Sequence, residues 1–176
     1  QPNHAGTTPM TLRQDALVAA SRIVLVVEAM ARQHSGDPVA TVGRLEVWPN
    51  AANVVPGSVA LTVDLRDVSS AVLDQLVAES MQQLERIGVE TGCPIQLEPQ
   101  FEVAPTAAAG GVMAAIASAA KDLGLSFSQL PSRASHDAQE IGRRWPMGMI
   151  FVPSRGGLSH SAKEFTSDEQ CWAGTA

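Results

Sequence analysis

The 176-residue sequence has no tyrosine, only two cysteines and no long apolar run. Cys93 and Cys171 stand far apart and outside any Cys-x-x-Cys spacing, which predicts a reducing compartment and no structural zinc site. The densest apolar stretch, residues 23–27, is soon broken by Glu28 and Arg32, whereas a membrane helix needs about 20 apolar residues. We therefore expect a cytoplasmic protein without a membrane partner.

Basic residues are also few. The 12 Lys and Arg residues are outnumbered by 18 Asp and Glu residues, which gives a net charge of −6 and a pI near 5.1. Nucleic acids and anionic membrane surfaces require a basic face, so the composition argues against both partners. The first four residues contain neither an initiator Met nor the pattern of a secretory signal.

The first 105 residues show the element order α-β-β-α-β. Apolar residues at steps of three and four predict helices over 11–33 and 70–87, the second ending near Gly88 or Gly92. Residues 11–14 fit a capping box for the first helix, with residues 8–9 as a competing start. Alternation of apolar and polar residues predicts strands over 39–48, 58–66 and 95–103. This order is that of a ferredoxin-like split βαβ sandwich without its first strand.

After Pro105 the composition shifts towards Ala and Gly. The pattern predicts a helix over 112–123 ended by Gly124, a short helix over 137–144 and an apolar strand over 149–152. Such alternation is typical of part of an α/β domain. We therefore predict two domains, residues 1–105 and 106–176.

A Gly-Leu-Ser-His turn follows the predicted strand 149–152 and ends at His160. Ligands of open α/β sheets gather outside the carboxyl ends of strands, and a neutral imidazole is a good ligand for zinc or a similar divalent ion. The alternative is a histidine in a surface loop. Glu164 could orient the ring of His160, or it could be a solvated acid at a helix start.

His136 and Asp137 open the predicted short helix, with Ser132 or Ser135 available to cap it. Adjacent helical residues do not face each other, so His136 and Asp137 would not chelate one ion together. Asp137 would instead interact favourably with the helix dipole.

Three further polar residues lie in the first predicted domain. His4 lies in a turn before the first helix, where a lone exposed histidine is the simplest interpretation. Asn53 lies in a loop rich in Asn and Pro, in which Asn most often bonds local backbone. Arg66 lies on the polar face of strand 58–66, and its forked guanidinium suits a carboxylate ligand. The alternative for Arg66 is a surface ion pair with Asp64 or Asp67.

Other chemistries find no support in the sequence. It contains no G-x-S-x-G elbow, no phosphate-binding loop and no Gly-rich dinucleotide turn. Four histidines are present, and no His-x-Asp or Glu-Glu pair stands beside them. The chain cannot build a two-metal centre alone.

The motifs taken together resemble one enzyme family. Residues 4–10 read His-Ala-Gly-Thr-Thr-Pro-Met, residues 49–57 read Pro-Asn-Ala-Ala-Asn-Val-Val-Pro-Gly, and residues 64–66 read Asp-Leu-Arg. With residues 132–139, 149–154 and 157–160, they resemble the hydantoinase/carbamoylase family of metal-dependent amidohydrolases. Its members include N-carbamoyl-L-amino-acid hydrolases, β-ureidopropionases and allantoate amidohydrolases. The resemblance implies a lid and dimerisation domain over residues 1–105 and the C-terminal segment of the catalytic domain over 106–176.

The resemblance also implies site residues, cofactors and partners. Two divalent cations, zinc or else manganese, cobalt or nickel, would activate a bridging water, and this chain would supply one ligand, His160. His4, Asn53 and Arg66 would contact an N-carbamoyl-L-amino acid or similar ureido acid, with Arg66 on its carboxylate. His4 would act in the neighbouring active site of a homodimer formed through the lid. Glu164, His136 and Asp137 are candidates for orienting metal ligands.

Two departures from the family pattern affect these expectations. Arg133 and Ser135 replace family glycines, which predicts altered specificity or a damaged site. The first half of the family's catalytic domain is absent from these 176 residues, so we expect the chain alone to be inactive. A non-catalytic dimerisation module is one alternative, and an aminoacylase or dipeptidase of the same broader metallopeptidase group is another.

Overall fold

The computed structural model describes residues 1–176, which form two compact units, Gln1–Pro105 and Thr106–Ala176. The first unit contains two helices and four strands, in the order β1 (Asn3–His4), α1 (Ala16–Gln33), β2 (Val39–Trp48), β3 (Val54–Val55), β4 (Ser58–Arg66) and α2 (Ser70–Thr91). The predicted strands 39–48 and 58–66 and the helix starting at residue 70 are confirmed.

Strands β2 and β4 form an antiparallel ladder from the Val39–Arg66 pair to the Trp48–Ser58 pair. The register shifts between Val42 and Arg44, so Gly43 is the extra residue of a β-bulge. Along β4 the odd-numbered positions 59, 61 and 65 are partly buried, whereas positions 60, 62, 64 and 66 are exposed. The alternation predicted from the sequence is confirmed except at Val63, which is 36% exposed, and Arg66 points away from the core.

Helices α1 and α2 contact each other and cover one face of the β2–β4 ladder. Their buried apolar side chains form the core, together with partly buried side chains from the two strands, and the buried members are Ala19, Ile23, Val27, Leu84 and Ile87. Burial of each large apolar side chain contributes about 1.5–3 kcal/mol. The opposite face of the ladder has no covering layer within this unit.

Helix α1 begins at Ala16, five residues later than predicted. Asp15 is its N-cap, because its Oδ1 accepts hydrogen bonds from the backbone N–H groups of Leu17 at 2.9 Å and Val18 at 3.2 Å. The capping box over residues 11–14 and the start at residues 8–9 are therefore wrong predictions. Residues 10–12 form a single 3₁₀ turn, and Arg13 then takes an extended conformation that interrupts the helical path.

Helix α2 continues to Thr91, which decides between the two predicted ends. Gly92 follows it with φ 66°, the left-handed conformation that glycine adopts at helix C-termini without a Cβ clash. Gly88 lies inside the helix. At the other end, Ser69 accepts a hydrogen bond from the Val72 N–H and caps the helix.

The predicted strand over 95–103 does not form. Residues 93–109 make no ladder with any strand, although Ile95 packs against the core and Phe101 is 81% exposed. In a split βαβ unit the strand after the second helix lies beside the first strand, and no such strand is present in the 176 residues. Pro94 and Pro99 also lack the N–H groups that a ladder uses.

The second unit contains helices α3 (Gly110–Asp122), α4 (Asp137–Gly142) and α5 (Asp168–Thr175). The predicted helices over 112–123 and 137–144 are confirmed with small shifts at their ends. The predicted strand over 149–152 is wrong, because no strand of this unit lies beside it to complete a ladder, and Ile150 is 56% exposed. No residue of the second unit is fully buried.

None of the helices is both long enough and apolar enough to span a bilayer. Cys93 and Cys171 are free thiols.

Candidate functional site

The short ladder between β1 and β3 brings two predicted site residues together. Asn3 pairs with Val55 and His4 pairs with Val54. The pairing continues by one residue, because the Ala5 N–H donates to the Asn53 carbonyl at 2.8 Å. The backbone of His4 therefore runs antiparallel to that of Asn53, and both residues are exposed.

The imidazole of His4 is held by its own turn. The Gly6 N–H donates to its Nδ1 at 3.0 Å, while the Thr8 hydroxyl and N–H both donate to the His4 carbonyl, at 2.7 and 3.2 Å. A neutral imidazole that accepts at Nδ1 has its proton on Nε2. His4 therefore presents an N–H donor at Nε2.

Arg66 lies on the exposed face of β4 beside Asp64. Its Nε donates to Asp64 Oδ1 at 2.8 Å and its Nη2 donates to Asp64 Oδ2 at 2.6 Å. These hydrogen bonds are the main cause of a lowered pKa for the Asp64 carboxyl and a raised pKa for the Arg66 guanidinium. Asp67 instead accepts from the Ser69 N–H. Of the two ion pairs considered from the sequence, the one with Asp64 forms.

Arg66 and Asp64 line an open depression on the uncovered side of the β2–β4 ladder. Its volume is about 380 Å³, and its other lining residues are Val39, Thr41, Gly43 and Thr62. This volume lies within the range of small-molecule sites. The depression combines apolar and hydroxyl-bearing walls with one strong cation and one carboxylate.

His160 lies in an irregular loop with unusual backbone geometry. Its φ is 54°, which is uncommon for a residue with a Cβ, and Gly156 and Gly157 before it both have φ 67°. The Glu164 carboxylate accepts a hydrogen bond from the His160 backbone N–H at 2.9 Å. Glu164 therefore contacts His160 through the main chain, which differs from both sequence-based alternatives, a contact with the ring and a solvated acid at a helix start. Strained positions of this kind cluster in functional loops.

His136 is held by Ser132 and Phe151. The Ser132 Oγ lies 2.8 Å from His136 Nε2, and the rings of His136 and Phe151 meet edge to face at 5.6 Å. The predicted cap from Ser132 or Ser135 is wrong, because His136 itself occupies the N-cap position of α4 and no side chain caps that helix. Asp137 lies in the first turn of α4, where its charge is favourable to the helix dipole.

Arg133 and Ser135 are accommodated without backbone strain. The non-glycine residues with positive φ are Asp37, Asn50 and His160, so neither replacement of a family glycine falls at a left-handed position. Any effect of Arg133 and Ser135 on the site must therefore come from the bulk or charge of their side chains.

No group of three His, Cys, Asp or Glu side chains in this chain could hold a metal ion. His160 fits the role of a single ligand. It is exposed, and its hydrogen bond to Glu164 uses the backbone N–H, which leaves the imidazole nitrogens for a metal ion. One imidazole does not hold a divalent ion, so further donors would have to come from other polypeptide.

Two sets of contacts that are important to the geometry were not predicted from the sequence. Arg13 donates to the carbonyls of Thr8 and Ala5, and Ser132 bonds the ring of His136. No spacing rule predicts either contact, because Arg13 is extended and residues 132–136 are not helical.

Residues 14–176 match the family described as peptidase family M20/M25/M40. The chain is 40% identical over 171 residues to the N-carbamoyl-L-amino acid amidohydrolase of Geobacillus stearothermophilus, covering 97% of this chain and 42% of that protein. It is 38% identical over 168 residues to the allantoate amidohydrolase of Bacillus subtilis, covering 96% and 41%.

Among solved structures, an amidase of the hydantoinase/carbamoylase family from Burkholderia vietnamiensis matches with a TM-score of 0.93 and 39% identity, covering 99% of this chain and 42% of that one. The family resemblance and the mixed helix and strand fold class predicted from the sequence are confirmed. The chain spans about two fifths of the length of these relatives.

Proposed function

The chain belongs to the peptidase family M20/M25/M40 and, within it, to the hydantoinase/carbamoylase amidases, and from that premise we propose that its parent protein is a metal-dependent amidohydrolase. The substrate is an N-carbamoyl-L-amino acid or a similar ureido acid, of which one carbamoyl or amide C–N bond is cleaved. Residues 1–105 form the lid and residues 106–176 the C-terminal segment of the catalytic domain. The protein is cytoplasmic.

The observation that supports this proposal best is the exposed Arg66 in its depression. Its guanidinium already binds a carboxylate in two-pronged geometry, which is the contact that an amino-acid carboxylate would make. Thr41 and Thr62 offer hydroxyl groups beside it. We assign Arg66 to the substrate carboxylate.

His4 and Asn53 supply the polar contacts of the β1–β3 ladder. The Nε2–H of His4 can donate to a substrate oxygen, including one that gains negative charge during reaction. Asn53 adds an amide that can donate or accept. In the proposed homodimer His4 acts in the active site of the other subunit.

His160 is the proposed metal ligand of this chain, with Glu164 holding its backbone. Two divalent cations, zinc or else manganese, cobalt or nickel, supply when bound the acidification of a water molecule and the polarisation of the carbonyl group. The remaining ligands lie outside these 176 residues, so the chain alone is inactive. His136 and Asp137 are the proposed residues that orient the metal ligands.

A homodimer through the first unit is supported by its exposed apolar residues. Val18 and Leu25, seven residues apart on α1, are 48% and 65% exposed, and β2 has no neighbour on its edge away from β4. Residues seven apart share one helix face. These surfaces equally suit a non-catalytic dimerisation module, which is the second candidate function.

The test uses the parent protein encoded by the complete reading frame, loaded with zinc or manganese. Ammonia release from N-carbamoyl-L-amino acids and from allantoate is expected, with kcat/KM about 10- to 100-fold lower for Arg66→Ala. Arg44→Ala is the matched control, because Arg44 makes a similar ion pair with Glu46 on the same sheet face and outside the depression. An unchanged kcat/KM for Arg66→Ala contradicts the assignment.

The other readings give different results in the same assays. Turnover of N-acyl amino acids or dipeptides instead indicates an aminoacylase or dipeptidase. A parent protein that dimerises and hydrolyses none of these compounds indicates the dimerisation module. Turnover by the 176-residue chain with added metal contradicts the proposed inactivity of the chain alone.

A further inference from the structure

The turn that contains His4 is tied to the start of α1 by one side chain. Arg13 donates from Nε to the Thr8 carbonyl at 3.0 Å and from Nη2 to the Ala5 carbonyl. Arg13 is partly buried, whereas the turn residues around it are mostly exposed. Two carbonyl groups three residues apart are therefore held by a single planar group.

The span between those two carbonyls contains the group that orients His4. Gly6 lies one residue after Ala5, and its N–H donates to His4 Nδ1. A Cβ at Gly6 would lie 3.2 Å from His4 Cε1, so the imidazole rests directly against the glycine backbone. The direction of the Gly6 N–H thus depends on the backbone path that Arg13 holds.

We propose that Arg13 is a positioning residue for His4. Its guanidinium holds residues 5–8 so that the Gly6 N–H occupies His4 Nδ1, which places the proton of the neutral imidazole on Nε2. His4 then contacts its ligand as a hydrogen-bond donor, and that ligand is an oxygen acceptor rather than a metal ion. The identification of this acceptor as a substrate oxygen rests on the proposed function, whereas the hydrogen bonds among Arg13, Gly6 and His4 do not.

The geometry requires arginine in particular. The Nε and Nη2 groups of a guanidinium point in fixed, parallel directions and meet two acceptors at once. A lysine ammonium is a compact charge on a flexible stem, so it can bind one of the two carbonyls and leaves the other to water. A glutamine offers one NH₂ group and no charge.

The decisive measurement is the through-hydrogen-bond ¹⁵N–¹⁵N coupling between the Gly6 amide and His4 Nδ1 in the 176-residue chain. It is recorded at pH 8.5, where an ordinary histidine is neutral. The coupling is expected in the wild-type chain and is lost in Arg13→Gln and Arg13→Lys. Arg22→Gln removes a charge from α1, where Arg22 forms an exposed ion pair with Glu90 of α2, and is expected to leave the coupling intact.

Each variant is checked for folding by the amide shifts of α1. If Arg13→Gln does not fold, the coupling measured in Arg13→Lys decides the test, since this variant retains the positive charge and changes only the geometry of the donors. Absence of the coupling in the wild-type chain, or its retention in a folded Arg13 variant, overturns the proposal.

In the parent enzyme, Arg13→Lys is expected to lower kcat by a larger factor than it raises KM. The misplaced donor is the His4 Nε2–H, which acts on the reacting oxygen, whereas Arg66 still binds the substrate carboxylate. An increase in KM alone contradicts this part. A parent protein without amidohydrolase activity overturns the proposed function and leaves the coupling result standing, so the two failures are distinguishable.

Discussion

Asp64 and Arg66 lie two residues apart on β4, and their side chains meet on its exposed face in a two-pronged ion pair of 2.8 and 2.6 Å. Residues i and i+2 of a strand share a face, so this contact follows directly from the pleat. The pair engages the Nε and Nη2 groups of Arg66, which are the donors that the substrate carboxylate would need under the proposed function. It also means that Asp64 competes with any acidic ligand that enters the depression.

The first prediction concerns the stability that this pair contributes. Both side chains are about half exposed, so Asp64→Asn is expected to lower the free energy of unfolding by less than about 1 kcal/mol at pH 7 and low salt. The hydrogen bond from Arg66 lowers the pKa of Asp64 in the folded chain below its usual 3.8. The contribution is therefore present above about pH 4 and is lost as the pH falls through that lowered pKa.

Urea unfolding of the wild-type and Asp64→Asn chains at pH 7 and pH 2, with and without 1 M salt, tests this sign. Glu85→Gln on α2 is the control, because Glu85 is an exposed acid of the same unit, away from Asp64 in the sequence. A difference that grows as the pH falls contradicts the prediction.

The second prediction concerns Leu76, whose side chain is fully buried. Leu76→Ala removes packed methyl groups and leaves a cavity, so we expect a loss of about 2–5 kcal/mol in the free energy of unfolding. Val77→Ala is the control, since Val77 is the next residue of α2 and is 47% exposed. Chemical denaturation measures both, and similar losses for the two variants would place Leu76 outside the core.

The third prediction concerns Gly92 at the end of α2. Alanine at φ 66° costs about 1–2 kcal/mol, because its Cβ crowds the following carbonyl oxygen. The added Cβ would also lie 2.9 Å from Gln14 Nε2, which is the flexible end of a side chain and can turn away. Backbone strain is therefore the main cost, and Gln14→Ala does not relieve it.

Gly110→Ala provides the comparison for Gly92. Gly110 begins α3 without a positive φ, and no atom lies within 4 Å of a Cβ built on it. Thermal unfolding is expected to show a clear loss for Gly92→Ala and none for Gly110→Ala. Recovery of stability in the Gln14→Ala, Gly92→Ala double variant would assign the cost to the steric contact instead.

Much of the first unit was predictable because its patterns report local geometry. The alternation over 58–66 identifies which face of a strand is buried, and the structure agrees at every position except Val63, which is 36% exposed. Residues 95–103 alternate equally well and form no strand, because alternation identifies a face and does not supply a neighbour. A ladder depends on residues distant in sequence, and here the neighbouring strand is missing.

The start of α1 shows a second limit. Thr11 and Asp15 are both good N-cap residues, and the sequence pattern favoured the first. The structure uses Asp15 because Arg13 is extended and binds two carbonyls of the preceding turn. The partner of Glu164 was unpredictable for a similar reason, since a carboxylate four residues from His160 reaches the backbone N–H as readily as the ring.

The last prediction follows from that contact and rests on the proposed metal role of His160. Glu164→Ala removes the acceptor that holds the His160 backbone at φ 54°, so the loop is expected to relax and misplace the imidazole. In the parent protein we expect metal affinity to fall about 10- to 100-fold, as for other residues that orient ligands. Glu164→Gln keeps an oxygen acceptor and should lose less.

Competition with a fluorescent chelator measures this affinity without reference to turnover. Glu169→Gln on α5 is the control. Glu169 is an exposed acid of the same unit, and its substitution removes one negative charge without altering the His160 loop. Equal affinities for the wild-type and Glu164→Ala proteins would mean that His160 is held by other contacts or does not bind the metal. Equal losses in Glu164→Ala and Glu169→Gln would instead indicate a general effect of negative charge on cation binding.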